Sequence, residues 1–324
     1  MNTKFVKVIT RYIAAAALMA FAVCLSGCIN TKDDRSMCTV DMTFRFEYTL
    51  NEKSTDLFGE KAESADIYIY SESGTFVKMM RAKRSDGTLC DDNKVSIDLV
   101  KGNYTAVAWA NLDSGDYDYV YDCPIRQKLV SLKMNDSQVS GALGNLMHGM
   151  TVFTASTKES EAGEILLSMT KNTNTVKIVL NVKGNEDPVS EDMFIMSITG
   201  SNGAYKFDNS FGECSPFTYI PRYTMPKTNV VQGEFNVLRL LQEDDLRLNI
   251  TRNTTRAGVS LPLTDMLTKA ILQHPMYTSD NDLDRYDEYV LEYDVDLSGD
   301  GPAVIVMIKI NDWIVVDWNG PIGQ

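Results

Sequence analysis

The chain has 324 residues and carries 31 Lys and Arg against 44 Asp and Glu, a formal net charge of −13. At about 150 residues per domain, that length accommodates two domains with cores of their own. So acidic a body is repelled by phosphate backbones and anionic headgroups, and no basic stripe with interleaved aromatics offsets it, which argues against a nucleic-acid partner.

In chain order, the first element is a secretory signal. Lys4, Lys7 and Arg11 precede an apolar run from Ile13 to Val23 with no acid among them. The run is shorter than the ~18 residues a membrane-crossing helix needs, and it ends at Leu25-Ser26-Gly27-Cys28 without a basic stop-transfer cluster. That tetrapeptide resembles the bacterial lipobox, which marks Cys28 as the acylated residue and residues 1–27 as the part removed. Loss of the three basic residues takes the mature net charge from −13 to −16. Lys32-Asp33-Asp34 is similar to the surface-export signal of Bacteroidetes lipoproteins and also serves as a solvated tether. Each acyl CH2 buried in a bilayer contributes about 0.8 kcal/mol, so several chains hold a protein there stably.

Beyond the tether the pattern is period two. Val40 to Tyr48 places apolar residues on one face and polar ones on the other, the signature of a strand with one side on a core and one in water. Ile67 to Tyr70, Val95 to Leu99, Tyr104 to Ala110 and Glu164 to Met169 read the same way. A shorter helical or irregular piece is expected over Val139 to Met147, and the polar tract from Thr170 to Asn174 marks the boundary between two domains. A second series follows at Thr175–Val182, Phe194–Ile198, Phe235–Leu241, Leu246–Ile250 and Tyr289–Leu297. After Thr264, the i, i+3, i+4 spacing of Leu263, Met266, Leu267, Ala270 and Ile271 predicts a helix. Ala303–Ile310 and Trp313–Trp318 close the chain as a hairpin across Asn311-Asp312. Short strands without regular intervening helices indicate an all-β fold of two tandem antiparallel β-sandwich domains. The expected division is a signal peptide at 1–27, a lipidated tether at 28–37, a first sandwich at 38–170 and a second at 171–324.

Residues suited to catalysis or metal binding do not assemble into motifs. Of the six cysteines, Cys24 leaves with the signal and Cys28 is acylated; Cys38, Cys90, Cys123 and Cys214 remain, with no Cys-x-x-Cys pair. In an oxidising compartment these four form up to two disulfides in any of three pairings, or stay as buried thiols. The two histidines, His148 and His274, are far apart, and each reads as a surface or structural residue. Nucleophile-elbow and phosphate-loop motifs are missing, and most acids lie on alternating solvent faces, so no catalytic residue, cofactor or metal ligand is assigned. Asp294-Val295-Asp296-Leu297-Ser298-Gly299-Asp300-Gly301 resembles the start of a calcium loop, but position twelve is Ile305 where a bidentate Glu is required; a strand end running into a turn explains it better. Trp109, Trp313 and Trp318 lie in or at the ends of predicted strands and read as packing residues.

Several segments carry a family resemblance. Asp33-Asp34-Arg35-Ser36-Met37-Cys38 after the lipobox, the strand TFRFEY and then Asp56-Leu57-Phe58 resemble the opening of the FimB/Mfa-type fimbrial anchor lipoproteins of FimA-type (type V) pili. ADIYIYSESGTFVK, VKGNYTAVAWANL and the closing IKINDWIVVDWN are similar to that family's strand-turn-strand segment, its Gly-x-Tyr strand and its terminal hairpin. Thr39 stands where the family commonly has proline. The resemblance implies transthyretin-like or immunoglobulin-like sandwiches, a non-enzymatic role, attachment to the outer membrane through lipid on Cys28, and fimbrial pilin subunits as partners, bound by strand complementation. Since Asn311-Asp312 ties the last strand into a hairpin, the subunit is expected to keep its own terminus and end the polymer at the membrane. The competing expectation is a surface glycan-binding lipoprotein, which exposed coplanar aromatics would favour; an open strand edge lined by apolar residues would favour the fimbrial one.

Overall fold

The computed structural model describes residues 39–120, 128–185, 188–272, 280–298, 304–311, 313–316 and 320–321. It is an all-β protein whose strands form five sheets. Sheet I has three strands, Glu164–Ser168, Thr39–Glu47 and Lys94–Val100; sheet II has five, Thr170–Lys171, Met147–Ala155, Gly102–Ala110, Ser64–Ser71 and Phe76–Lys83. The seven-stranded sheet III runs Arg222–Lys227, Val230–Leu238, Thr173–Lys183, Glu288–Asp296, Val304–Ile310 and Trp313–Val316, with Gly320–Pro321 also paired to Val304–Ile310. Sheet IV runs Gly258–Pro262, Arg247–Arg252, Phe194–Gly200, Phe217–Ile220 and Gln138–Ser140; sheet V runs Ala204–Lys206, Lys128–Leu132 and Tyr117–Tyr119.

Most pairings are antiparallel, as the short strands predict. Three are parallel: Thr39–Glu47 with Glu164–Ser168, Thr173–Lys183 with Glu288–Asp296, and Phe217–Ile220 with Gln138–Ser140. Parallel neighbours need long crossovers; the rest of each half supplies the first two, and the third spans residue 170. Strand pairing also runs across residue 170. Lys128–Leu132 pairs with Ala204–Lys206, and Gln138–Ser140 with Phe217–Ile220, so residues 128–140 sit among strands that follow them by some eighty residues.

Two cores result. The first lies between sheets I and II, where Met42, Phe44, Phe46, Val95, Ile97 and Leu99 meet Ile67, Ile69, Ala106 and Ala108. The second fills the space between sheets III and IV and reaches the opposite face of sheet II, burying Tyr68, Tyr70, Val107 and Trp109. The expectation of one solvated face for Ile67–Tyr70 and Tyr104–Ala110 is therefore corrected: Ser64–Ser71 is buried at seven consecutive positions. The cause is the pair of stretches 117–120 and 128–140, whose Tyr117, Leu129, Val130, Leu132 and Val139 belong to the same core as those outer-face residues. A strand buried on both faces has no need of polar alternation.

The predicted helix is Leu263–Ile271, with Leu263, Leu267, Ala270 and Ile271 buried. The piece expected over Val139 to Met147 is irregular only from 141 to 146, because Val139 and Ser140 belong to one strand and Met147 begins another. The strand Met147–Ala155 escapes a reading by pattern. Its exposed positions include Met150 and Val152 while Gly149 is buried, which inverts the usual alternation. No described helix is long and apolar enough to cross a membrane, a statement that does not bear on strands.

Candidate functional site

The residues singled out in the sequence do not converge. Cys28, Cys38, Cys123, His274 and Trp318 lie outside the described residues; Cys90 is an exposed free thiol and Cys214 a half-buried one. Of the acidic run near the chain end, Asp294 and Asp296 lie in a strand, and Gly299, Asp300 and Gly301 lie outside the described residues. Asp294 is engaged by Lys183 at 2.6 Å and by the Asn181 amide at 3.3 Å, and Asp296 accepts from the Ser298 N–H and hydroxyl at 2.9 and 2.6 Å. Among the described residues, no three His, Cys, Asp or Glu side chains are grouped to hold a metal ion. Trp109 is fully buried, and no described Phe, Tyr or Trp whose exposure is defined is an exposed one, so the aromatic platform a glycan would stack on is not found there.

What the fold does assemble is a polar junction between its halves. In the tract expected to mark the domain boundary, Thr170 is half-buried and Lys171, Asn172, Thr173 and Asn174 are buried. Lys171 Nζ donates to the Tyr286 carbonyl at 2.9 Å and to Asp287 at 2.6 Å, while Lys61, from the first half, reaches the other Asp287 oxygen at 3.0 Å. The Asn174 amide donates to the same Tyr286 carbonyl at 2.8 Å, and Asn172 and Asn209 exchange amide hydrogen bonds at 2.5 and 3.1 Å. Nearby, Arg239 holds Asp284 through two parallel bonds of 2.7 and 2.6 Å, with the Asp284 side chain only 3% exposed. A buried charge costs several kcal/mol unless paired. Burial pushes the Lys171 ammonium down; burial alone would raise the Asp287 carboxyl, but Lys171 and Lys61 hold it below the usual carboxylate range. Every charge in the cluster thus has a partner, and the Lys61–Asp287 pair joins the two halves. From sequence only the Thr170–Asn174 tract stands out, as a polar boundary, because only the folded chain brings 61, 171, 239 and 284–287 together.

His148 seals the apolar side of this junction. Its ring lies 4.7 Å from that of Trp109, and Nε2–H donates to the Phe207 carbonyl at 2.8 Å. Burial lowers its pKa to about 4, from an ordinary value near ~6.5. As pH falls below that ordinary value the unfolded chain takes up the proton first, so the stability present at neutral pH is lost on the way down to pH 4. Between pH 7 and 4.5 this amounts to about 2 kcal/mol at 1.36 kcal/mol per pKa unit. Asp244, raised to about 6 by burial, acts in the opposite sense, since the folded state takes its proton first. Comparing the wild type with His148→Gln by urea denaturation at the two pH values cancels the Asp244 contribution. The wild type should lose about 2 kcal/mol more than the variant on acidification; equal losses would refute the assignment.

The C-terminal hairpin is the other assembled feature. Trp313–Val316 pairs back on Val304–Ile310, with Ile310 opposite Trp313. The turn is pinned by Asn311, in the left-handed region at φ 46°, whose side-chain oxygen accepts from the Val290 N–H at 2.8 Å while its own N–H donates to the Val290 carbonyl at 3.0 Å. Asn tolerates that conformation and its side chain substitutes for a ladder partner.

Comparison with known proteins completes the description. A family model described as "Fimbrillin-A associated anchor proteins Mfa1 and Mfa2" matches residues 34–319. No curated protein matches by sequence. Among solved structures, the chain is similar to a candidate polysaccharide-binding protein from Bacteroides thetaiotaomicron, with 18% identity, TM-score 0.75, and coverage of 86% of this chain and 99% of that one. It is similar to a candidate adhesin from the same organism at 22% identity, TM-score 0.71, and 86% and 99% coverage. The fimbrial anchor protein Mfa2 from Porphyromonas gingivalis matches at 18% identity and TM-score 0.71, covering 87% of this chain and 100% of that one. At these identities the structures speak for the fold, and the family model for the kinship.

Proposed function

The chain belongs to the fimbrillin-A associated anchor protein family, and on that premise we propose that it is a lipid-held subunit that attaches a fimbria to the outer membrane by binding pilin subunits. One observation carries the proposal: the family match begins at residue 34, six positions past Cys28, where the signal peptide ends in a lipobox-like tetrapeptide. The first strand starts at Thr39, so the eleven residues from the acylated cysteine keep the folded body within about 40 Å of the membrane even if fully extended. Acyl chains supply the attachment, and the paired junction joins the membrane-proximal sandwich to the half that ends in the terminal hairpin. The role is structural, and no catalytic step is invoked.

The experiment is a pull-down of detergent-extracted protein with mass spectrometry of what stays attached, using Cys28→Ala as the anchoring control. Pilin should be recovered with the wild type, and Cys28→Ala should shed fimbriae into the medium. A second reading, a glycan-binding surface lipoprotein, draws on the candidate polysaccharide-binding protein of the same fold. Retention on a polysaccharide column without any pilin would select it.

A further inference from the structure

The chain changes sheets at Pro221. Phe217–Ile220 pairs with Phe194–Gly200 in sheet IV, whereas Arg222–Lys227 pairs with Val230–Leu238 in sheet III. The first of these ladders stops at Ile198 opposite Tyr219, so among the described residues the strand from Phe194 to Ser197 has a strand neighbour on one side only, Arg247–Arg252. In an antiparallel ladder alternate residues direct both N–H and C=O to the same side. Phe194 and Met196 therefore turn theirs, as Ile198 does, to the side the chain has left.

What faces them is a mostly apolar cleft of ≈ 440 Å³, walled by Ile195, Met196, Ile220, Pro221 and Tyr223. Ile195 is 42% exposed there, one of few large apolar side chains on the surface. The Tyr223 hydroxyl stands in for the missing strand: it accepts from the Met196 N–H at 2.6 Å and lies 3.4 Å from the Met196 carbonyl. Beneath, a Cβ on Gly233 would meet Met196 Sδ at 3.0 Å and Pro221 Cβ at 3.3 Å, so the floor is closed by direct packing and the opening is lateral. Glu191 and Asp192 line the same cleft, both exposed, and among the described residues neither has a basic partner within 4.0 Å.

An unpaired strand edge is recognised by another main chain, an apolar wall by alternate side chains, and uncompensated acids by a base. We propose that this cleft docks an extended segment of a partner protein, carrying alternate apolar side chains and a Lys or Arg at the end that lies against Glu191 and Asp192. The segment's main chain replaces the Tyr223 hydroxyl on Met196. The proposal rests on the fimbrial reading only for the partner's identity.

The test uses the mature protein and a fluorescein-labelled peptide, Lys-Arg-Val-Thr-Val-Thr-Val-Ser, followed by anisotropy at low salt and by hydrogen exchange. Saturable binding is expected, with new protection over residues 193–197. Affinity should fall about tenfold or more in E191K/D192K and rise several-fold in Y223F, where the Met196 N–H is released to the incoming chain. Both acids are exposed, so their reversal should leave folding intact; Ile195→Lys, at an exposed position, is a second blocking variant. No saturation at about 1 mM peptide, indifference to the charge reversal, or protection confined to another edge such as 150–155 overturns the proposal. Undiminished pilin recovery by E191K/D192K would also overturn it while leaving the anchoring role intact. Peptide binding with no pilin recovered would keep the cleft and remove the fimbrial partner.

Discussion

Deletion of residues 313–324 is expected to unfold the second half of the molecule, seen as loss of the cooperative transition for that half and of near-ultraviolet signal. The deleted segment supplies five registered partners to Val304–Ile310: Val316, Ile314 and Trp313 along one strand, Gly320 and Pro321 along another. A ladder hydrogen bond contributes about 1 kcal/mol net, so the loss runs to several kcal/mol of a total that is about 5–15 kcal/mol for a whole domain. The deletion also turns Val304–Ile310 into an unprotected edge beside Glu288–Asp296, whose parallel partner Thr173–Lys183 is the middle of sheet III. A truncated protein that stays folded and merely fails to bind pilin would show that this strand is a detachable donor and not part of the subunit's own fold.

The second large effect is expected from Arg239→Met. Arg239 and Asp284 are 14% and 3% exposed in their side chains and joined by two short bonds. Taking away the guanidinium leaves a carboxylate buried without a counter-charge, a loss of about 3–5 kcal/mol. Lys171→Met should cost less, about 2 kcal/mol, because Asp287 keeps Lys61 and its side chain remains 39% exposed. Chemical denaturation of the three proteins decides the order. Equal stability of Arg239→Met and wild type would mean that the buried Arg239–Asp284 pair contributes nothing net to the fold. Restoring the apolar balance with Asp284→Leu in the Arg239→Met background should recover much of the loss, as replacement of a whole buried pair is far milder than removal of one partner.

Much of the fold was open to reading from the chain. The alternation in Val40–Tyr48 and Val95–Leu99, the spacing of Leu263, Leu267 and Ile271, and the turn at Asn311 each rest on local geometry, a period or a φ preference, that neighbouring residues carry among themselves. Leu25-Ser26-Gly27-Cys28 lies outside the described residues, and its reading as a lipobox stays a proposal that the Cys28→Ala experiment tests. The burial of both faces of Ser64–Ser71 depends instead on a segment placed fifty to seventy residues later, and the inverted strand Met147–Ala155 depends on which neighbours cover it. The polar tract Thr170–Asn174 shows the limit most clearly. Its composition is that of a solvated linker, and it is buried only because Asp287, Tyr286 and Asn209 arrive from far along the chain to satisfy it. The open edge at Phe194–Ser197 is likewise the consequence of one strand leaving its sheet at Pro221. Period and turn chemistry were thus determined by the sequence itself; which polar groups are buried and which strand edges stay unpaired was decided by the tertiary structure, because pairing energy depends on distances that only the folded chain sets.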